Sequence, residues 1–173
     1  MKIVDIFAEQ LYAFHYQNEE DNEFDRLMDN WTDVNYLRTY AKENNIENIN
    51  QFVRNKLKDA EQIQDLLEEI TTNNEPLEYY FRPLFDTEQR VKILSLQKGK
   101  IGKNGLRLYA IKIDENLFVI TGGAIKMSQT MQGHPDSNQE LEKIKKAKLL
   151  LQNNEVIDSD SFYELIKEIE DDE

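Results

Sequence analysis

The sequence predicts an α+β fold: a small antiparallel β-sheet over about residues 90–127, with helices before it and two more after it. Three observations carry this. On both flanks apolar residues recur at three- and four-residue spacing, the mark of amphipathic helices. Between Arg90 and Met131 the pattern changes to short runs of β-branched and apolar residues broken by Gly-, Lys- and Asn-bearing turns. That same stretch holds five of the six glycines, which turns use for their freedom at positive φ.

Taken in order, Val4, Phe7, Leu11 and Phe14 follow helical spacing and predict an amphipathic helix over 3–17. Phe24, Leu27, Met28 and Trp31 repeat the pattern for a second helix. Asp33 stands where an N-cap belongs for a third, carrying Val34, Leu37 and Ala41 and ending near Asn44-Asn45. The longest helix is expected over about 50–71, with Val53, Leu57, Ala60, Leu67 and Ile70 on one stripe and Phe52, Ile63 and Leu66 widening it. The aromatic run Leu77–Phe85 reads as an extended connector that docks the helices on the sheet.

Within the sheet, Val91–Leu96 is expected as a strand, followed by a Gly/Lys turn from Lys98 to Gly105. Leu106–Ile113 and Leu117–Thr121 then form a hairpin around Asp114-Glu115-Asn116. Strand alternation puts Arg107, Tyr109, Ile111 and Ile113 on one face and Leu106, Leu108, Ala110 and Lys112 on the other. With both faces largely apolar, this strand is expected at the centre. Gly122-Gly123 marks a bulge or a close backbone approach, and Ala124–Met127 continues the edge. Ser137 and Glu140 have capping-box spacing for a helix with Leu141, Ile144, Ala147 and Leu151 inward and Lys143, Lys145, Lys146 and Lys148 outward. Ser161 and Glu164 do the same for a last helix. The organisation is therefore an acidic helical region over 1–76, a sheet and helix over 77–152, and a terminal helix over 153–173.

Composition narrows the function classes. The chain carries a net charge of −13 over 173 residues and has no cysteine, which removes thiolate zinc sites and disulfides. His15 and His134 fall in different segments, so no metal site is expected. The N-terminal run is interrupted by Asp5 and Glu9, and no apolar stretch approaches the roughly 18 residues of a membrane span. A cytoplasmic protein without membrane contact is expected. Residues 90–131 hold eight basic against two acidic side chains, a net +6, while the rest of the chain sums to −19. A basic sheet inside an acidic chain is the informative anomaly, because segregated charge sets the near field at a binding surface.

The candidate site residues follow from that anomaly. Lys98, Lys100 and Lys103 form a mobile basic rim suited to a phosphate backbone, although the turn lacks the G-K-[ST] ending of a Walker loop. Arg107, on a central strand, needs a partner or a cleft, since an unpaired buried guanidinium is unfavourable. Its structural reading is a salt bridge to an acidic N-terminal helix. Lys126 follows the Gly-Gly pair where backbone comes close to a ligand.

The segments Leu106-Arg107-Leu108-Tyr109 and Leu117 to Lys126 (LFVITGGAIK), with the lysine-bearing helix around 137–151, resemble the RelE/ParE superfamily of bacterial toxins. The likeness is to the branch holding HigB and phage-derived relatives. It spans about 84–152. It implies a RelE-like core, a small antiparallel sheet flanked by helices, and the toxin of a toxin–antitoxin module. Such a toxin is an endoribonuclease that cuts ribosome-bound mRNA without metal or cofactor, by attack of a 2′-hydroxyl on the adjacent phosphate. Its implied partners are a small helix-turn-helix antitoxin and the mRNA on the ribosome. By position, Arg107 would grip the phosphate, Lys98 or Lys100 would match the basic residues of the preceding strand and turn, and Lys126 would match the residue ending the next strand. The alternative is a non-catalytic interaction module of the same fold, its basic sheet covered by its own or a partner's acidic helices.

Overall fold

The computed structural model describes residues 1–7, 9–127 and 135–172, with the side chains of 135–137 excepted. His134 and the Ser137 side chain expected to cap a helix lie outside the described residues. The fold is α+β, with six strands and five α-helices among the described residues. The strands are β1 (Lys2–Phe7), β2 (Leu11–His15), β3 (Phe81–Pro83), β4 (Ser95–Gly99), β5 (Leu106–Asp114) and β6 (Leu117–Ile125), in spatial order β1-β2-β6-β5-β4-β3. The helices are α1 (Glu23–Trp31), α2 (Val34–Glu43), α3 (Ile49–Thr72), α4 (Pro135–Asn153) and α5 (Ser159–Asp171).

The sheet is larger than residues 90–127, and it is mixed rather than antiparallel throughout, because β2 runs parallel to β6. The helix expected over 3–17 is instead the antiparallel pair β1–β2, with Ile3 opposite Phe14 and Val4 opposite Ala13. Positions 4, 7, 11 and 14 do fit a helical stripe, but Leu11, Tyr12, Ala13 and Phe14 are all buried. A helix cannot bury four consecutive residues against one surface, whereas a strand enclosed on both faces does so. Leu11 and Ala13 go to one core, Tyr12 and Phe14 to the other. Pairing with β6, through Leu11–Phe118 to Ala13–Ile120, supplies the backbone partners that decide the matter.

Each face of the sheet carries its own core. On one side α1–α3 pack Trp31, Leu37, Ile63 and Leu67 over Leu108, Ala110, Phe118 and Ile120. On the other, α4 and α5 pack Ile144, Leu151 and Phe162 over Ile111, Val119 and Phe14. Each such fully buried side chain contributes on the order of 1.5–3 kcal/mol. The three N-terminal helices start as their polar residues dictate. Asn22, Asp33 and Asn48 are the N-caps, and the Asp33 side chain accepts from the N–H groups of Asn35 and Tyr36. On α3 the expected stripe is seen, with Val53, Ala60, Ile63, Leu67 and Ile70 buried.

Two other boundaries move. The strand expected over Val91–Leu96 begins at Ser95, because Asp86–Arg90 closes a 3-10 turn and Leu94 takes a positive φ of 55°. The Glu88 carboxylate holds that corner by accepting from the Leu96 N–H at 3.0 Å. The shift draws Lys98 out of the turn and into β4. At α5, Ser161 is not the N-cap. Asp158 caps the helix, and Ser161 in the third helical position completes the reciprocal pair. The inward stripe of α4 is as expected, with Leu141, Ile144, Ala147 and Leu151 buried. Among the described residues no helix is long and apolar enough to cross a membrane.

Candidate functional site

Register brings the basic residues to one end of the sheet. Lys98 pairs with Tyr109, Arg107 with Ala124, and Leu106 with Ile125, so the C-terminal ends of β4 and β6 meet the start of β5. In an antiparallel pair opposed residues share a face. Lys98, Arg107, Tyr109 and Ala124 therefore share the face that α4 covers further along. Lys126 follows β6 directly, and its N–H donates to the Gly105 carbonyl at 2.8 Å. Lys100 and Lys126 are exposed, Lys98 is half-buried and Arg107 is buried. Burial, then the nearby charges of Arg107, Lys100 and Lys126, hold the Lys98 ammonium below the usual lysine range. Lys103 lies exposed in the turn, and the field at Lys98 arises without it.

Among the described residues Arg107 meets no acidic helix in a salt bridge. Its Nη1 donates to the backbone carbonyls of Asn104 and Leu106, and burial lowers its pKa. The turn that was expected to be mobile is anchored at its second half. Asn104 Nδ2 donates to the Asp59 carbonyl and to Gln62 Oε1, both at 2.9 Å, while Gly105 N–H donates to Asp59 Oδ2 at 3.0 Å. Arg107 thus fastens the end of the turn through the Asn104 and Leu106 carbonyls, while Lys98, Lys100 and Lys126 supply the charge around it. None of these three lysines is in an ion pair among the described residues. Acidic side chains bridge elsewhere, Glu78 to Lys112 at 2.6 Å and Asp59 on α3 to Lys56 at 2.9 Å.

A second constellation lies along β6 and was not visible in the sequence. At the bulge Thr121 is the extra residue, since Tyr109 pairs with Gly122 and Ala110 with Ile120. Gly122 leaves room for the Glu140 carboxyl: a Cβ there would stand 1.8 Å from Glu140 Oε2. Glu140 is 9% exposed, and its Oε2 has no hydrogen-bond partner, although Lys143 Nζ is 3.4 Å away. Burial and the neighbouring Glu23 carboxylate push its pKa up to about 7 against the pull of Lys143. Glu23 behaves oppositely. Burial alone would raise it, yet bonds from Arg26 at 2.9 Å and Lys143 at 2.7 Å hold it below the usual carboxylate range. The Tyr16 hydroxyl donates to the Thr121 carbonyl at 2.7 Å, and burial raises its pKa. Lys143, expected to point outward, is the cation that the two carboxylates share. A cleft of about 730 Å³ opens beside this cluster, between α1–α2 and α4.

Among the described residues no group of three or more His, Asp and Glu side chains is placed to hold a metal ion. No protein-family model matches the chain, and neither a curated protein nor a solved structure matches it.

Proposed function

We propose that the end of the sheet formed by Lys98, Lys100 and Lys126 binds the phosphate backbone of RNA, and that the chain is a toxin-like ribonuclease of the kind its RelE/HigB resemblance implies. The observation that carries this is the convergence of these lysines on one accessible end of the sheet, with Lys98 half-buried among like charges. Cations with no carboxylate partner are preorganised for an anion that develops charge during reaction. Burial, then the neighbouring cations, lower the Lys98 pKa, the direction that a lysine acting as a base requires. In this reading Lys98, in its deprotonated form, takes the proton of a 2′-hydroxyl, whose oxygen attacks the adjacent phosphorus. The bond to the 5′-oxygen breaks, water protonates that oxygen, and a 2′,3′-cyclic phosphate and a 5′-hydroxyl end result. Lys126 and Lys100 stabilise the phosphorane charge, and Arg107 acts by fixing the turn. A small helix-turn-helix antitoxin and ribosome-bound mRNA are the partners this assignment brings.

A second reading is favoured by one specific observation, the engagement of Arg107 with backbone carbonyls. There the same face docks an acidic partner and no bond is cut. Incubating the full chain with labelled single-stranded RNA and titrating salt separates the two. The ribonuclease reading expects cleavage that Lys98→Met abolishes, and binding that weakens with salt. Three phosphate contacts correspond to a log–log slope of about −2, and Lys126→Ala should lower its magnitude by about 0.7. Salt-dependent RNA binding without cleavage assigns a binding role. No RNA binding at low salt overturns the phosphate-binding reading.

A further inference from the structure

The basic end of the sheet is tied to α3 at the Asn104-Gly105 corner. Asp59, near the middle of α3, accepts from this corner twice. Its side-chain Oδ2 takes the Gly105 N–H at 3.0 Å, and its backbone carbonyl takes Asn104 Nδ2 at 2.9 Å. Gln62 Oε1 also accepts from that Nδ2, at 2.9 Å. Asn104 is 4% exposed, and its Oδ1 accepts from the Leu106 N–H, so both ends of the amide are engaged within the fold. From the corner two bonds lead on to cations. The Asn104 carbonyl accepts from Arg107 Nη1, and the Gly105 carbonyl accepts from the Lys126 N–H at 2.8 Å. Each link passes from α3 through one turn residue to one cation. A bare carboxylate beside a phosphate site would repel the ligand, but Lys56 Nζ pairs with Asp59 Oδ2 at 2.9 Å. That ammonium lies against Gly105, where a Cβ would stand 2.2 Å from it.

We propose that Asp59 is a positioning residue of the phosphate site, linked to it through Asn104 and Gly105, and that it holds Arg107 and Lys126 in place around Lys98 before an anion arrives. The assignment rests on the phosphate-binding reading and adds to it the element that sets the site up. Charges already in place stabilise an anion better than charges that must first be gathered, because no reorganisation accompanies its arrival. Asp59 acts through the Gly105 hydrogen bond and not on the RNA, while Lys56 offsets its charge. It also gives α3, which the toxin resemblance does not cover, a role at the site.

The test compares Asp59→Asn with Asp59→Ala in the full chain. Both remove the carboxylate and leave Lys56 without it, so the two variants carry the same charge. Only asparagine keeps an oxygen able to accept from the Gly105 N–H. Binding of a labelled six-nucleotide oligocytidylate is read by fluorescence anisotropy at fixed low salt, and the Lys98 side-chain titration by NMR in the absence of RNA. Asp59→Asn is expected to bind at least as tightly as wild type, and Asp59→Ala about fivefold more weakly than Asp59→Asn, the scale of one lost hydrogen bond. In Asp59→Ala the Lys98 titration should move to higher pH, since burial is retained while Arg107 and Lys126 no longer stand fixed beside it. Asp59→Asn should leave that titration in place. Equal affinities and equal Lys98 titrations for the two variants, with circular dichroism showing an intact fold in both, overturn the positioning role and leave the phosphate face standing. Absence of RNA binding by wild type overturns both. Should Asp59→Ala not fold, Gln62→Ala, which removes one acceptor of Asn104, takes its place. It should shift both readouts in the same direction, and no shift in either overturns the proposal.

Discussion

Glu140→Gln tests the most unusual electrostatic feature of the fold. The carboxyl is pressed against Gly122 with one oxygen lacking a hydrogen bond, and it shares Lys143 with the fully buried Glu23. Its pKa rises from the ordinary 4.5 to about 7, so the native state binds this proton more tightly than the unfolded chain does. The sign follows by linkage. The contribution to stability is fully present below pH 4.5, declines as pH rises through the interval, and levels off above about 7. At about 1.36 kcal/mol per decade, the gap amounts to on the order of 3 kcal/mol. Glutamine keeps the shape and cannot ionise. Glu140→Gln should therefore match wild type near pH 4 and exceed it by up to ~3 kcal/mol at pH 8. Urea denaturation followed by the single tryptophan, Trp31, which is 1% exposed and stands against Gly123, provides the readout. A difference between the two proteins that does not change from pH 4 to pH 8 would refute the reasoning.

Two further outcomes follow from the same geometry. Gly122→Ala would place a methyl 1.8 Å from Glu140 Oε2, so the Glu140 carboxyl must swing away from β6 or α4 must shift, at a cost of about 1–3 kcal/mol. Thermal denaturation should show a lowered midpoint, and pairing the change with Glu140→Ala should recover much of the loss, whereas strict additivity would count against the contact. Lys126→Ala removes one of the charges that depress Lys98, so the lysine's pKa should rise toward its usual value. The rising limb of the pH–rate profile, or the Lys98 side-chain titration followed by NMR, should then move to higher pH. Lys103→Ala should leave it in place, and a limb unmoved by the loss of Lys126 would remove the coupling.

Much of the candidate site was legible as chemistry but not as geometry. Lys98, Lys100, Arg107 and Lys126 stand out as the basic minority of an acidic chain, and strand alternation already sets Arg107 beside Tyr109. That Lys98 joins them depends on β4 starting at Ser95, which the Glu88 corner enforces. Sequence reasoning had no means of reaching that contact, eight residues back along the chain. Arg107 needed a partner, as burial demands, and took carbonyls of its own turn. Glu140 gave no signal, because one carboxylate on a charged helix looks like the next until Gly122 is placed beneath it.

The local chemistry of the chain determined α1, α2 and α3 with their caps, the β5–β6 hairpin, the bulge beside Gly122-Gly123 and the inward stripe of α4. Each depends on residues within a turn or two of one another, where spacing and capping groups act directly. Only the tertiary structure decided that residues 2–15 are strands, that β2 lies parallel to β6, and that Glu23, Lys143 and Glu140 meet across 120 positions. The reason is that a short run buried on both faces lacks the strand's alternation, so the chance helical spacing of 4, 7, 11 and 14 was the pattern left to read. Its conformation is set by whichever distant backbone satisfies its hydrogen bonds, and here that backbone is β6.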